Sequence, residues 1–267
     1  LEDIYLPFKQ KRRTKGQIAR EAGIEPLADK LFADPTLVPA TEAVAFLRPP
    51  EVLDDGKPGP DFSTVAAVPD GVRDILSERW AEDAVLVQSL REWLWTDGLL
   101  RSKKVDGKNE ADPEVAKFRD YFDYDEPIGR VPSHRALAVF RGRALEILDA
   151  KLVPPEGVAA LGAGAGLVRA SAALASTSQP PAAPASSATP SLAEGKIALH
   201  LGWSHAGRAA DDLIRKCVAW TWRVKLSLST ERDLFARLRE EAEKVAIKVF
   251  ADNLRDLLLA APAGPRV

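Results

Sequence analysis

The sequence predicts a mainly α-helical protein: an elongated multi-helix scaffold with a helix–turn–helix-like element, a long C-terminal helix and a disordered insertion. Three observations carry this expectation. Apolar residues recur at three- and four-residue steps in several stretches, which places them on one face of a helix. Residues that start and stop helices, such as Asp70, Thr230, Gly23 and Gly98, bracket those stretches. One segment, 154–196, lacks large apolar side chains and fills with Ala, Ser, Gly and Pro.

The 267 residues suffice for one large domain or two modest ones. Hydrophobic residues make up 46% and charged residues 28%, as in soluble globular proteins. Thirty-seven Lys and Arg stand against 39 Asp and Glu, a net charge of −2. That balance excludes a generally basic nucleic-acid binder and leaves only local patches. Cys217 is the single cysteine, so no internal disulfide can form and a reducing cytoplasm is the expected setting. The chain opens on Leu1 and contains no Met. It reads as a piece of a longer protein, with neither a signal peptide nor a membrane-spanning run.

Residues 1–60 open with the basic cluster Lys9, Lys11, Arg12, Arg13 and Lys15. Two short helices follow over 14–32, joined at Gly23, with Pro26 in the first turn of the second. A proline-rich connection then leads to the expected helical region 61–153. There the stripe Val72, Leu76, Trp80, Ala84, Val87, Leu90 and Leu94 predicts one helix over 71–97. Residues 99–105 suit a short strand ended by Asp106-Gly107. Pro113 starts a helix expected to end in the acidic turn 123–127. Ser133 caps another, with Leu137, Phe140, Ala144 and Leu148 on one face.

Segment 154–196 cannot bury enough apolar surface to offset its ordering entropy, which predicts a disordered insertion. Residues 197–267 return to long helices. Arg208 to Lys225 carries Leu213, Cys217, Trp220 and Val224 on one face. Thr230 and Asp233 resemble a capping box. Leu234, Leu238, Ala242, Val245, Val249 and Leu257 then form a stripe, widened by Phe235, Phe250, Leu254 and Leu258. This last helix should run about 30 residues, or about 45 Å.

Candidate chemistry is sparse. His200 and His205 lie five apart, and with one cysteine no zinc-ligand spacing arises. Asp123, Asp125 and Glu126 lack the pattern of a calcium loop. Gly162, Gly164 and Gly166 lack dinucleotide-loop spacing. Cys217, Trp80 and Trp220 fall on apolar faces and read as core. No catalytic residue, metal or cofactor is expected. The basic cluster is the better candidate, because Lys and Arg side chains beside a helical hairpin can neutralise phosphates. They can equally pair with acidic groups of the same protein.

Three collinear stretches carry a resemblance. They are Leu1-Glu2-Asp3-Ile4-Tyr5-Leu6-Pro7-Phe8-Lys9 with Lys11-Arg12-Arg13-Thr14, then Pro132-Ser133-His134-Arg135-Ala136-Leu137-Ala138, and Val249-Phe250-Ala251-Asp252-Asn253-Leu254-Arg255. Asp120-Tyr121-Phe122-Asp123-Tyr124 adds to them. Together they resemble the bacterial transcription accessory protein family Tex, over nearly the whole chain apart from the insertion. Phe8 and Gln10 stand where that family usually has tyrosine and proline. The resemblance implies a non-enzymatic, cytoplasmic helical scaffold. It also implies an RNase H-like domain, helix-hairpin-helix motifs and an S1 domain beyond Val267, the last being the main nucleic-acid binder. The expected partner is therefore nucleic acid, RNA or DNA, reached mainly through domains outside this chain. Transcription machinery is a second partner. Lys9, Lys11, Arg12, Arg13 and Lys15 are the auxiliary phosphate contacts expected here, with His134 and Arg135 as further candidates. The alternative is a purely structural or protein-docking scaffold.

Overall fold

A computed structural model describes residues 14–49, 61–155 and 190–260. In chain order it holds α1 (Lys15–Glu21), α2 (Glu25–Ala33), α3 (Pro39–Ala43), α4 (Val68–Ala81) and α5 (Ala84–Asp97). After β1 (Leu99–Lys104) come α6 (Pro113–Ala116), β2 (Asp123–Pro127), α7 (Ser133–Ala144) and β3 (Leu148–Val153). The chain resumes with α8 (Leu192–His200), α9 (Asp211–Trp220), a π-helical segment (Thr221–Leu226) and α10 (Ser227–Leu259). The protein is thus mainly helical, with a small sheet. The expected disordered insertion lies outside the described residues over 156–189, and its last residues, from Leu192, belong to α8.

The described residues fall into two compact units. One lies within Leu1–Val87 and Ala193–Leu228, the other within Gln88–Leu192 and Ser229–Val267. In the first, α4 is central, and α1 and α9 pack on it. Ile24, Leu27, Leu31, Val72, Ile75, Leu76 and Trp80 are buried there, as are Ile197, Ile214, Cys217 and Val218. In the second, β1 is the middle strand of an antiparallel sheet ordered β2-β1-β3. Leu100 and Ser102 point inward, and the α7 residues Val139 and Phe140 are buried in the same unit.

Several elements differ from expectation for identifiable reasons. The helix expected over 71–97 is two helices. Asp83 accepts the backbone N–H groups of Val85 at 2.9 Å and Leu86 at 3.1 Å, which caps a new helix. The buried stripe accordingly jumps from Trp80 to Leu86 while Ala84 is exposed. The acidic run 123–127 is not a turn but edge strand β2, because Arg101 across the ladder takes Asp125 in a two-pronged bond at 2.7 and 2.8 Å. The helix from Ser133 ends at Ala144, and Leu148 opens β3 instead of continuing the stripe. Glu146 makes the stop with φ 55°, and the Ile147 N–H reaches back to the Gly142 carbonyl.

Thr230 caps nothing. It is buried inside a helical run that continues from Asp211 through the π-helical segment to Leu259. The Thr221 hydroxyl donates to the Cys217 carbonyl at 2.7 Å, and the Ser227 hydroxyl to the Arg223 carbonyl at 3.2 Å. Such back-bonding loosens a helix without ending it.

Candidate functional site

Of the seven residues singled out from the sequence, Lys9, Lys11, Arg12 and Arg13 lie outside the described residues. Lys15 is the first residue of α1 and is exposed. Thr14 fixes this start by accepting the Gln17 N–H at 3.1 Å. The chain then closes α1 in a Schellman turn: the N–H groups of Gly23 and Ile24 reach the carbonyls of Arg20 and Ala19. Gly23 takes φ 80°, a conformation that disfavours other residues.

The hairpin of α1 and α2 therefore has the expected outline. Its second helix does not offer free donors to a groove. Lys30, the sole basic residue of α2, meets Glu42 at 2.6 Å. Glu25 and Asp29 both hold Arg79, at 3.0 and 2.6 Å. The helix spends its charges inside its own unit, whereas base reading needs unpaired donors and acceptors.

His134 and Arg135 belong to the other unit, in the first turn of α7, and both are exposed. Arg135 donates to Glu126 of β2 at 3.3 Å. The same carboxylate accepts the Tyr124 hydroxyl. Burial, and then the hydrogen bond to Glu126, push the Tyr124 phenol above its ordinary range. Arg135 thus ties α7 to the sheet edge, while no bond holds His134 among the described residues.

The remaining chemical candidates resolve into structural roles. Asp123, Asp125 and Glu126 sit along β2, with Asp125 committed to Arg101. His200 meets Asp83 at 2.8 Å, and His205 meets Asp212 at 3.3 Å. Cys217 is buried, and burial pushes its thiol up to about 12, so it is not a poised nucleophile. Among the described residues, no group of three or more His, Cys, Asp or Glu is placed to hold a metal ion. None of the helices among them is long and apolar enough to cross a membrane.

One tryptophan departs from expectation. Trp220 is 36% exposed and stacks under Arg73, whose guanidinium carbon lies 4.1 Å from the ring centre. Trp222, two residues on, is buried instead. The extra residue in the π-helical segment rotates the face that points inward.

A cationic cluster that local pattern does not announce lies between α7 and α10. Phe140 and Phe235 meet edge to face, ring centres 5.6 Å apart. Arg143 lies over Phe235 at 5.2 Å, and Arg239 over Phe140 at 5.0 Å. Each arginine sits one turn beyond the phenylalanine of its own helix and stacks on that of the other. The spacings Phe140 to Arg143 and Phe235 to Arg239 are visible in the sequence. The pairing of the two helices is not.

The profile of the Tex central region-like family matches residues 34–250. The chain is 44% identical over its whole length to Protein tex of Bordetella pertussis, covering 29% of that protein. It is 40% identical to the Transcriptional accessory protein Tex of Neisseria gonorrhoeae, over 99% of the chain and 29% of the relative. It is 26% identical to the human S1 RNA-binding domain-containing protein 1, covering 23% of it. The chain spans less than a third of the length of each of these relatives.

Proposed function

The chain belongs to the Tex family, and on that premise we propose that it is the scaffold region of a cytoplasmic, nucleic-acid-binding transcription accessory protein, making auxiliary contacts to phosphates. One observation carries the reading: similarity runs along 99% of the chain to a relative named as a transcriptional accessory protein. A more distant relative is named for an S1 RNA-binding domain, which supports nucleic acid as the partner. The basic cluster Lys9, Lys11, Arg12, Arg13 and Lys15 supplies charge suited to a phosphate backbone. No catalytic step is assigned to this chain. Converting the five basic residues to Ala tests the contact: affinity for nucleic acid should fall and its salt dependence flatten. Unchanged affinity would remove these residues from the proposal.

One feature favours the second reading, a scaffold that docks other domains or the transcription machinery. Val245, Ile247, Val249, Phe250, Leu254, Leu257 and Leu258 of α10 are all exposed. Side chains of this size on one helix end suit a protein contact. Under that reading, Phe250→Asp with Leu257→Asp should abolish capture of a transcription-machinery partner while leaving nucleic-acid binding intact. Retained capture would count against it.

A further inference from the structure

We propose that Arg143 and Arg239 form a second phosphate-binding point, at which the face shared by α7 and α10 grips a nucleic-acid backbone. The proposal rests on the nucleic-acid reading above and adds a site of its own. Most arginines with resolved partners are consumed internally. Arg79 is held by Asp29 and Glu25, Arg101 by Asp125, Arg208 by Asp211, and Arg237, although stacked on Trp95, by Glu241. Arg143 and Arg239 differ.

Arg239 is exposed and makes no carboxylate contact among the described residues; its contact is the Phe140 ring. The Arg143 side chain is 47% exposed, and its carboxylate neighbour Glu231 stands 4.0 Å away. The other oxygen of Glu231 accepts the Leu152 N–H of β3 at 2.9 Å, so the carboxylate is shared between β3 and a long ion pair to Arg143. Arg239 is therefore oriented by an aromatic face without an acid partner among the described residues, and Arg143 by an aromatic face and one long ion pair.

That arrangement favours an external anion. Phe140 and Phe235 are each 5% exposed, so the rings are fixed in the core. A cation–π contact to a fixed ring restricts the guanidinium while its N–H groups remain able to donate. A phosphate then meets a donor fork with little rotamer freedom left to lose.

The test is a salt titration of the 267-residue chain against labelled single-stranded RNA, single-stranded DNA and duplex DNA. Wild type is compared with the Arg143→Gln/Arg239→Gln double variant, with Arg239→Lys, and with Lys117→Gln. Lys117 pairs with Glu114, stacks on neither ring, and controls for loss of one charge. The double variant should bind about tenfold more weakly at low salt, with a log–log salt slope smaller by roughly 1.5. Arg239→Lys keeps the charge and loses the planar fork, so it should weaken binding and leave the slope unchanged. Lys117→Gln should match wild type. Wild-type binding that both Arg variants reproduce would overturn this site and leave the nucleic-acid reading standing. No binding by wild type to any of the three would overturn both. Thermal melts of each variant separate lost contact from lost fold, and Arg239→Lys, which disturbs no ion pair, decides if the double variant melts early.

Discussion

Asp83 and His200 meet at 2.8 Å, and that single carboxylate also starts α5 by accepting the N–H groups of Val85 and Leu86. The hydrogen bond from His200, then that of Leu86, hold the Asp83 carboxyl below its usual range. A carboxyl lowered in the folded state stabilises above its unfolded pKa of about 4 and loses that contribution as pH falls further. Asp83→Ala should cost about 1 kcal/mol at neutral pH, the worth of a helix cap. The deficit relative to wild type should shrink below about pH 4. Urea melts at pH 7 and pH 3.5 measure both, and an equal deficit at the two values would contradict the assignment.

Asp211 is a denser hub. Its buried carboxylate accepts Trp203 Nε1 at 3.1 Å, the N–H groups of Ala206 and Arg208 at 2.8 and 2.9 Å, and the Arg208 guanidinium. The Arg208 bonds, then the backbone N–H groups, hold it far below the ordinary carboxylate range, against the opposing effect of burial. Asp211→Ala strands those donors and should cost about 3 kcal/mol. A loss below about 1 kcal/mol in chemical denaturation would show that water replaces the carboxylate.

Gly16 gives a test of sign. Helix propensity alone says that Gly→Ala inside α1 should stabilise by about 0.5–1 kcal/mol. A Cβ at this position would run into the Glu78 carboxylate and come 2.8 Å from the Asp74 carbonyl, which is backbone and cannot swing away. Gly16→Ala should therefore destabilise, by about 1–3 kcal/mol. A raised melting temperature would mean that α1 and α4 are not so close.

The two ends of α10 should answer differently to truncation. Leu234, Leu238 and Ala242 are 2–4% exposed, whereas Phe250 is 68% and Leu257 75% exposed. Leu238→Ala should cost about 2–5 kcal/mol. Phe250→Ser and Leu257→Ser should stay within about 0.5 kcal/mol. Equal losses along the helix would show that the C-terminal stripe is packed in the free chain.

Much of this architecture is written in local pattern. The stripe from Val72 to Leu94 marked its helices, and Leu99-Leu100 with Asp106-Gly107 marked β1. What escaped depends on distant partners or on an unusual residue. The acidic run of β2 is stable as a strand because Arg101, 24 residues away, answers Asp125. The stop after α7 has Glu146 at φ 55°, where glycine would have announced it. The long helical run was read as two because Thr230 and Asp233 imitate a cap, while the π-helical segment leaves no residue-type signature. The candidate site divides the same way. The basic cluster is legible as composition, but the crossed stacking of Arg143 and Arg239 exists only once α7 meets α10.

The central claim is that this chain touches nucleic acid through phosphates. Its most direct test is the equilibrium binding of the unmodified chain to RNA and DNA as salt is raised from low to physiological concentration. The account predicts binding at low salt that weakens by about tenfold or more over that range. Absence of binding at the lowest salt, or affinity that salt leaves unchanged, would contradict it.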